Sequence, residues 1–337
     1  MLKVYSFFTL FNVLDVNKRI IAFKVMLNII RLPVIRNIYD MLYWPVIRKK
    51  SLNMPRLIVV EPYNVCDLKC RMCPYPNMTR EKVQMDMFLF KKIIDDAVEN
   101  GFITLTFSLY NEPLLDNLIF ERVRYAKEKG LKVFFNTNGT MLTSEKMYKI
   151  IASGLDHIFF SFDAPTKEAY EEIRINANFD VTVENIRNFI EYRSKMHSLT
   201  PTIGIASVGR SGEHILRQMR KVFKGADIFV TSEEDNRRRV NVSTLRKSTT
   251  LKGLFPCYSI WDRFVVASSG KVFLCCADYD GSVVLGDLNN QTIKAVWNST
   301  KFKKIRESHL SRKGDEISLC NECDILYRTA PFIWWFI

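Results

Sequence analysis

Near its start the 337-residue chain lacks any apolar run approaching the roughly 18 residues that a bilayer-spanning helix needs. The longest uncharged stretch there, 4–14, is followed by Lys18, Arg19, Lys24, Arg31 and Arg36, so no membrane span is expected. No segment of 20 to 50 residues recurs, which excludes a solenoid or propeller. Glycine and proline together number only 24, an ordinary share that excludes a fibrous or low-complexity chain. The first residues have no charged start, apolar centre and small-residue cleavage site, so no export is expected and a reducing cytosol is the anticipated compartment.

What is present is enough apolar material, 47% of residues with 25% charged, for one large α/β domain and a smaller appendage. The net charge of +13 is uneven. Residues 1–56 hold ten Lys/Arg against two Asp/Glu, or +8, and the rest of the chain only +5. A body this weakly basic does not predict a nucleic-acid groove. The leader, with Phe7, Phe8, Leu10 and Phe11 and then Ile20, Ile21, Phe23, Val25, Met26, Ile29 and Ile30, reads as helical segments with a basic flank. Such segments either lie in an anionic headgroup layer over residues 1–50 or pack across the main domain or a second copy. The apolar tail, 331–337, invites the same two readings.

From Leu57 onward short β-rich runs alternate with amphipathic helices. Strands are expected at 57–61, 104–109, 132–136, 157–162, 202–208 and 227–230, and helices at 86–100, 116–128, 144–152, 181–194 and 212–223. Six βα units imply a parallel sheet. Fewer than about 180 residues are available, against the roughly 250 of a complete eight-unit barrel, so the expected fold class is α/β with a partial (βα)6 barrel. The division expected is a helical N-terminal extension over 1–55, the barrel over 56–235, a linker over 236–252, a small C-terminal domain over 253–330 and the tail. Within the small domain, 264–267 and 271–274 read as a hairpin about Ser269 and Gly270, and a helix begins at 293–297.

The eight cysteines fall into short-spaced groups, which suits metal ligation better than a disulfide framework. Cys66, Cys70 and Cys73 form a CxxxCxxC triad in the loop after the first strand, at the end of a parallel sheet where α/β folds place their chemistry. Three thiolates leave one iron of a [4Fe–4S] cube open for an outside ligand, and no histidine lies nearby in sequence to favour the usual zinc arrangements. Cys257, Cys275, Cys320 and Cys323 make a second set, enough for a closed four-thiolate site. On spacing alone, zinc and an iron–sulfur cluster both fit it.

With these motifs the sequence resembles the radical S-adenosylmethionine (SAM) superfamily over about 56–230. The resemblance implies that the triad holds a [4Fe–4S] cluster whose open iron binds SAM, and that reductive cleavage of SAM yields a 5′-deoxyadenosyl radical that abstracts hydrogen from a substrate carbon. Later strand ends continue the pattern. The Asn111, Glu112 and Pro113 segment resembles the Gly-Glu-Pro segment near the SAM amino group, with asparagine in the glycine position. Asn138 lies in a recurrent Thr-Asn-Gly segment. Ser161 and Asp163 resemble the segment approaching the SAM carboxylate, and Arg174 lies where a carboxylate-pairing arginine is found, a role suited to a rigid guanidinium fork. Alone, Glu112 also reads as a rim carboxylate, Ser161 as a helix cap and Arg174 as a solvated arginine. Met72 takes the place of the aromatic residue expected beside adenine.

The text around the second set, with Cys275 and Cys276, the Leu285 to Asp287 segment, Val296 and Trp297, and the terminal CxxC, resembles the SPASM/twitch extension of the same superfamily. It implies one auxiliary [4Fe–4S] cluster on Cys257, Cys275, Cys320 and Cys323. Either Cys275 or Cys276 fits that ligand position, and the other is then a buried small side chain or a hydrogen-atom donor. The reaction expected first is oxidation of a sugar-like or aminocyclitol alcohol, the substrate being a small molecule or a lipid-linked saccharide. Tyr110, Asn138 and Arg237 to Arg239 are candidate pocket contacts. Alternatives are peptide or protein modification, carbohydrate epimerisation with Cys276 as donor, and a non-enzymatic iron–sulfur scaffold. A flavodoxin- or ferredoxin-like reductant is implied, and a cytoplasmic site, free or at the inner face of the membrane, is expected.

Overall fold

The computed structural model describes residues 54–208, 213–232, 256–257, 259–321 and 323. All but the last two residues of the expected extension, the whole linker with Arg237 to Arg239, and the tail lie outside these residues. Among the described residues no helix is long and apolar enough to cross a membrane.

Six strands follow one another in the expected places: β1 (Leu57–Val60), β2 (Thr104–Thr106), β3 (Lys132–Thr137), β4 (His157–Ser161), β5 (Thr202–Val208) and β6 (Ile228–Ser232). Each pairs in parallel with the next. Helices α1 (Met87–Glu99), α2 (Ile119–Glu128), α3 (Ser144–Ala152), α4 (Lys167–Ile173), α5 (Phe179–Lys195) and α6 (Glu213–Val222) form the connections. The sheet remains open, as a partial barrel of six units requires.

Local chemistry accounts for the helix limits. In α1 the residues Leu89, Phe90, Ile93, Ile94 and Ala97 recur at helical spacing and are all buried, each larger side chain contributing about 1.5–3 kcal/mol of burial. Asp86 caps its start by accepting from the Leu89 amide at 2.7 Å, and its alanine substitution would cost about 1 kcal/mol. Gly101 follows the end with φ +82°, a left-handed backbone that glycine adopts without steric cost. Helix α4 is too short for its helical period to be read from sequence, since Tyr170 is its one buried residue.

The C-terminal part adds α7 (Ser259–Asp262), β7 (Arg263–Val266), β8 (Lys271–Phe273), β9 (Val284–Asp287), α8 (Ile293–Trp297), α9 (Thr300–Leu310) and α10 (Ser318–Asn321). The expected hairpin forms, β7 antiparallel to β8, but it has no sheet of its own. Strand β7 lies parallel to β1, with Leu57 opposite Arg263 and Val60 opposite Val266. The order is β6-β5-β4-β3-β2-β1-β7-β8-β9. This pairing satisfies the second edge of β1, whose Ile58, Val59 and Val60 are at most 3% exposed, where unpaired amides would be costly.

Candidate functional site

Because the six barrel strands are parallel, their C-terminal ends face one side and bring loops from distant parts of the sequence together. A cavity of about 200 Å³ opens there. Its wall includes Cys66, Cys70 and Cys73 from the loop after β1, Asn111 and Glu112 after β2, Asn138 after β3, Ser161 at the end of β4, and Met72 and Arg174. Asp163 lies behind this wall, fully buried, and pairs with Arg174 at 2.7 Å.

The cysteine loop is held by bonds the motif does not announce. The Asp67 carboxylate accepts from the Asn138 side-chain amide at 2.7 Å and from the Thr140 hydroxyl at 2.5 Å. The amides of Lys69 and Arg71 donate to the carbonyls of Ile175 and Ile173 at 3.0 and 2.9 Å, which draws Arg174 to 3.8 Å from the Cys70 sulfur. Asn138 therefore has two jobs, since its backbone amide also donates to Glu112 at 2.7 Å.

Burial governs the electrostatics. It pushes the Cys66 thiol far above its ordinary value, and the Cys70 thiol up to about 11 although Arg174 opposes the rise. Such desolvated thiols suit a metal, which would deprotonate them on binding. Burial also pushes Glu112 up to about 7, while bonds from the Asn138 amide, the Thr137 hydroxyl and the Leu114 amide hold it down. Burial works against the charge of Arg174, but Asp163 and then Cys70 raise its pKa above the usual guanidinium value.

Two buried donors in this wall, Asn111 Nδ2 and Arg174 Nε, have no hydrogen-bond partner. Orphaned buried donors call for an acceptor, and beside a buried carboxyl they suit a ligand with both carboxylate and ammonium groups. The donor set therefore fits a thiolate-bound cluster with an amino acid-like ligand at its open position.

The wall is tied to the segment that follows Cys275. Tyr110, also in the cavity wall, donates its hydroxyl to the Cys276 carbonyl at 2.5 Å and meets Tyr279 edge-on at 6.1 Å. Buried Glu61 receives Arg80 through two bonds, at 2.7 and 3.1 Å, and the Tyr110 amide at 3.2 Å. Arg80 in turn donates to the Tyr279 carbonyl at 2.6 Å. Sequence reasoning singled out Tyr110 but missed Glu61, Asp67 and Arg80, whose partners lie up to 199 positions away.

Cys257, Cys275, Cys320 and Cys323 are all buried in the main apolar core. Burial, then the charge of Cys276, Cys257 and Cys323, drives the Cys275 thiol well up, and burial pushes Cys257 up to about 11. Cys276 is half-buried, its sulfur 3.7 Å from an Arg263 guanidinium nitrogen. Among the described residues no three His, Cys, Asp or Glu side chains stand close enough to hold a single metal ion. Sequence reasoning also missed His309, 2% exposed, which lies between the Cys257 backbone and the Cys320 sulfur. Burial lowers its pKa to about 4, leaving it neutral.

Residues 60–208 match the model of the radical SAM superfamily, and residues 257–324 match that of an iron–sulfur cluster-binding domain, SPASM. The AdoMet-dependent heme synthase of Methanosarcina barkeri is 32% identical over 313 residues, covering 76% of this chain and 86% of that protein. The tungsten-containing aldehyde ferredoxin oxidoreductase cofactor-modifying protein of Pyrococcus furiosus is 31% identical over 156 residues, 45% of this chain and 43% of its own length. The fold is shared with BtrN in complex with AdoMet and 2-DOIA, TM-score 0.57 at 18% identity over 81% of this chain and 94% of that one. It is shared also with Streptococcus suis SuiB bound to precursor peptide SuiA, TM-score 0.61 at 15% identity over 84% and 73%.

Proposed function

Because the chain belongs to the radical SAM superfamily and carries a SPASM iron–sulfur domain, we propose that it oxidises an alcohol of a sugar-like or aminocyclitol substrate. Its cofactors are SAM, a [4Fe–4S] cluster and an auxiliary cluster. In this reading Cys66, Cys70 and Cys73 hold the first cluster, and Cys257, Cys275, Cys320 and Cys323 the auxiliary one. When bound, the first cluster with SAM supplies a hydrogen-abstracting 5′-deoxyadenosyl radical, and the auxiliary cluster supplies an electron acceptor.

The chain's own residues then bind, orient and exclude water. Glu112 faces the SAM amino group, with the Asn138 and Thr137 bonds fixing its carboxyl. Arg174, aimed by Asp163, takes the carboxylate together with Asn111 and Ser161. Met72 offers apolar contact to adenine, as a flexible thioether can. The observation that supports the oxidative reading is the Tyr110 hydroxyl bond to the Cys276 carbonyl, because it ties the cavity wall to the backbone next to Cys275. Oxidation of an alcohol removes two electrons and two protons. One of each leaves as the hydrogen atom taken by the 5′-deoxyadenosyl radical, the second electron would go to the auxiliary cluster, and the hydroxyl proton to solvent or a basic side chain.

Peptide modification is the second reading, favoured by one observation. Among the described residues the outer side of β6 pairs with no strand, and Ile228 and Val230 are exposed on it. An extended peptide could add there through its main chain.

The test is anaerobic reconstitution with iron and sulfide, followed by a dithionite-driven assay for 5′-deoxyadenosine with wild type and Cys73→Ala. About eight irons per chain, the sum of two four-iron clusters, with turnover lost in the variant, are expected. Product two hydrogens lighter from a saccharide or aminocyclitol panel supports the first reading. Modified peptide with inert saccharides replaces it by the second, and absence of SAM cleavage at full iron loading overturns both.

A further inference from the structure

His309 is placed as a bridge between two auxiliary cysteines. Its Nδ1 accepts the Cys257 backbone amide at 3.4 Å, and its Nε2 lies 3.5 Å from the Cys320 sulfur. A neutral imidazole has one donor and one acceptor nitrogen, so acceptance at Nδ1 leaves the proton on Nε2, facing the sulfur. The ring is locked. A Cβ at Gly314 would come within 2.6 Å of Nδ1, so the chain closes on the imidazole only because residue 314 is glycine. Trp261 meets the ring edge-on at 6.3 Å. Nothing in the cysteine spacing requires a histidine here, and one helix, α9, carries it into the site.

We infer that His309 donates an N–H···S hydrogen bond to Cys320 and thereby raises the reduction potential of the auxiliary cluster. The inference rests on the proposed four-cysteine ligand set. Reduction adds an electron whose charge spreads onto the ligand sulfurs, and a fixed donor stabilises that reduced state more than the oxidised one. His309 is thus a positioning and tuning residue, without contact to substrate. Because the donor is shielded from solvent, its influence is not diluted by water.

The experiment is an EPR-monitored redox titration of the reconstituted full chain with SAM present, SAM identifying the first cluster's signal. His309→Phe keeps an aromatic ring and removes the donor, and His309→Gln keeps an N–H. The auxiliary cluster of the Phe variant is expected to become about tenfold harder to reduce, or about 59 mV lower for one electron, with the Gln variant between the two. Unchanged potentials at about eight irons would overturn the inference while leaving the ligand set intact. About eight irons retained in Cys320→Ala would instead overturn the ligand set. Should the Phe variant fail to fold, wild type labelled with 15N-histidine decides. A weak coupling of nitrogen to the reduced auxiliary cluster is expected, whereas none, or the strong coupling of a nitrogen bound to iron, overturns the proposal.

Discussion

The Tyr110 hydroxyl donates to the Cys276 carbonyl at 2.5 Å across 166 positions of sequence. One residue thus belongs both to the thiol-lined cavity and to the seam with the C-terminal part of the chain.

Removing that hydroxyl leaves a part-buried carbonyl without its donor. Tyr110→Phe is expected to lower stability by about 1–2 kcal/mol, the cost of an unsatisfied group, without changing iron content. Urea denaturation of the anaerobic protein, paired with iron analysis, checks this.

Asp116 and Arg122 form an ion pair at 2.8 Å with both side chains fully buried. Arg122 also donates to the Met85 carbonyl, which fixes the end of the long loop carrying the first three cysteines. Asp116→Asn would strand a buried guanidinium and should cost about 3–5 kcal/mol. A variant that denatures at the wild-type urea midpoint would contradict this.

Glu112 gives a pH signature. Its carboxyl, ordinarily at 4.5, is pushed up to about 7 by burial in the folded chain, which therefore holds that proton more firmly than the unfolded chain does. Its contribution to stability is fully present below about pH 4.5 and is lost as pH rises through about 7. Stability curves of cluster-free wild type and Glu112→Gln should differ in slope over that window, the variant being flatter.

Arg174 tests the fork. Lysine keeps the charge near Asp163 but cannot present two parallel donors. Arg174→Lys is expected to weaken SAM binding to the reconstituted protein about tenfold, equal to about 1.4 kcal/mol, as measured by calorimetry.

The basic leader lies outside the described residues, and its expected membrane role is open to direct measurement. The full chain should pellet with vesicles containing anionic lipid, less so as salt rises, while a chain lacking residues 1–50 should remain in solution. Equal failure of both to pellet would remove the membrane argument for a lipid-linked substrate.

The sequence made most of the barrel legible because each strand ends at a glycine, a polar loop or a capped helix. Ser144–Ala152 and Thr202–Val208 fall where the periodicity places them. Strand β9 was not legible, since Gly286 interrupts it and is there because a Cβ would strike Val296 at 2.5 Å. The thiols were readable from short spacings, and the Glu112 segment from its resemblance to the family's motif. Asp67, Glu61, Arg80 and His309 were not, because each acts through a partner brought close only by the folded chain. Asp163 was assigned to the SAM-binding set on resemblance, and its place behind Arg174 depends on α4, the short helix whose C-cap is Arg174.

The parallel pairing of β7 with β1 has a consequence for electron flow. Hydrogen bonds run without a break from β6 to β9, so the two groups of cysteines are attached to a single ruled surface rather than to two bodies joined by residues 236–252. In the proposed oxidation, an electron passing between them would cross a gap to which strand register contributes, with Val60 held opposite Val266. A one-residue slip between those two strands would shift one group of cysteines against the other.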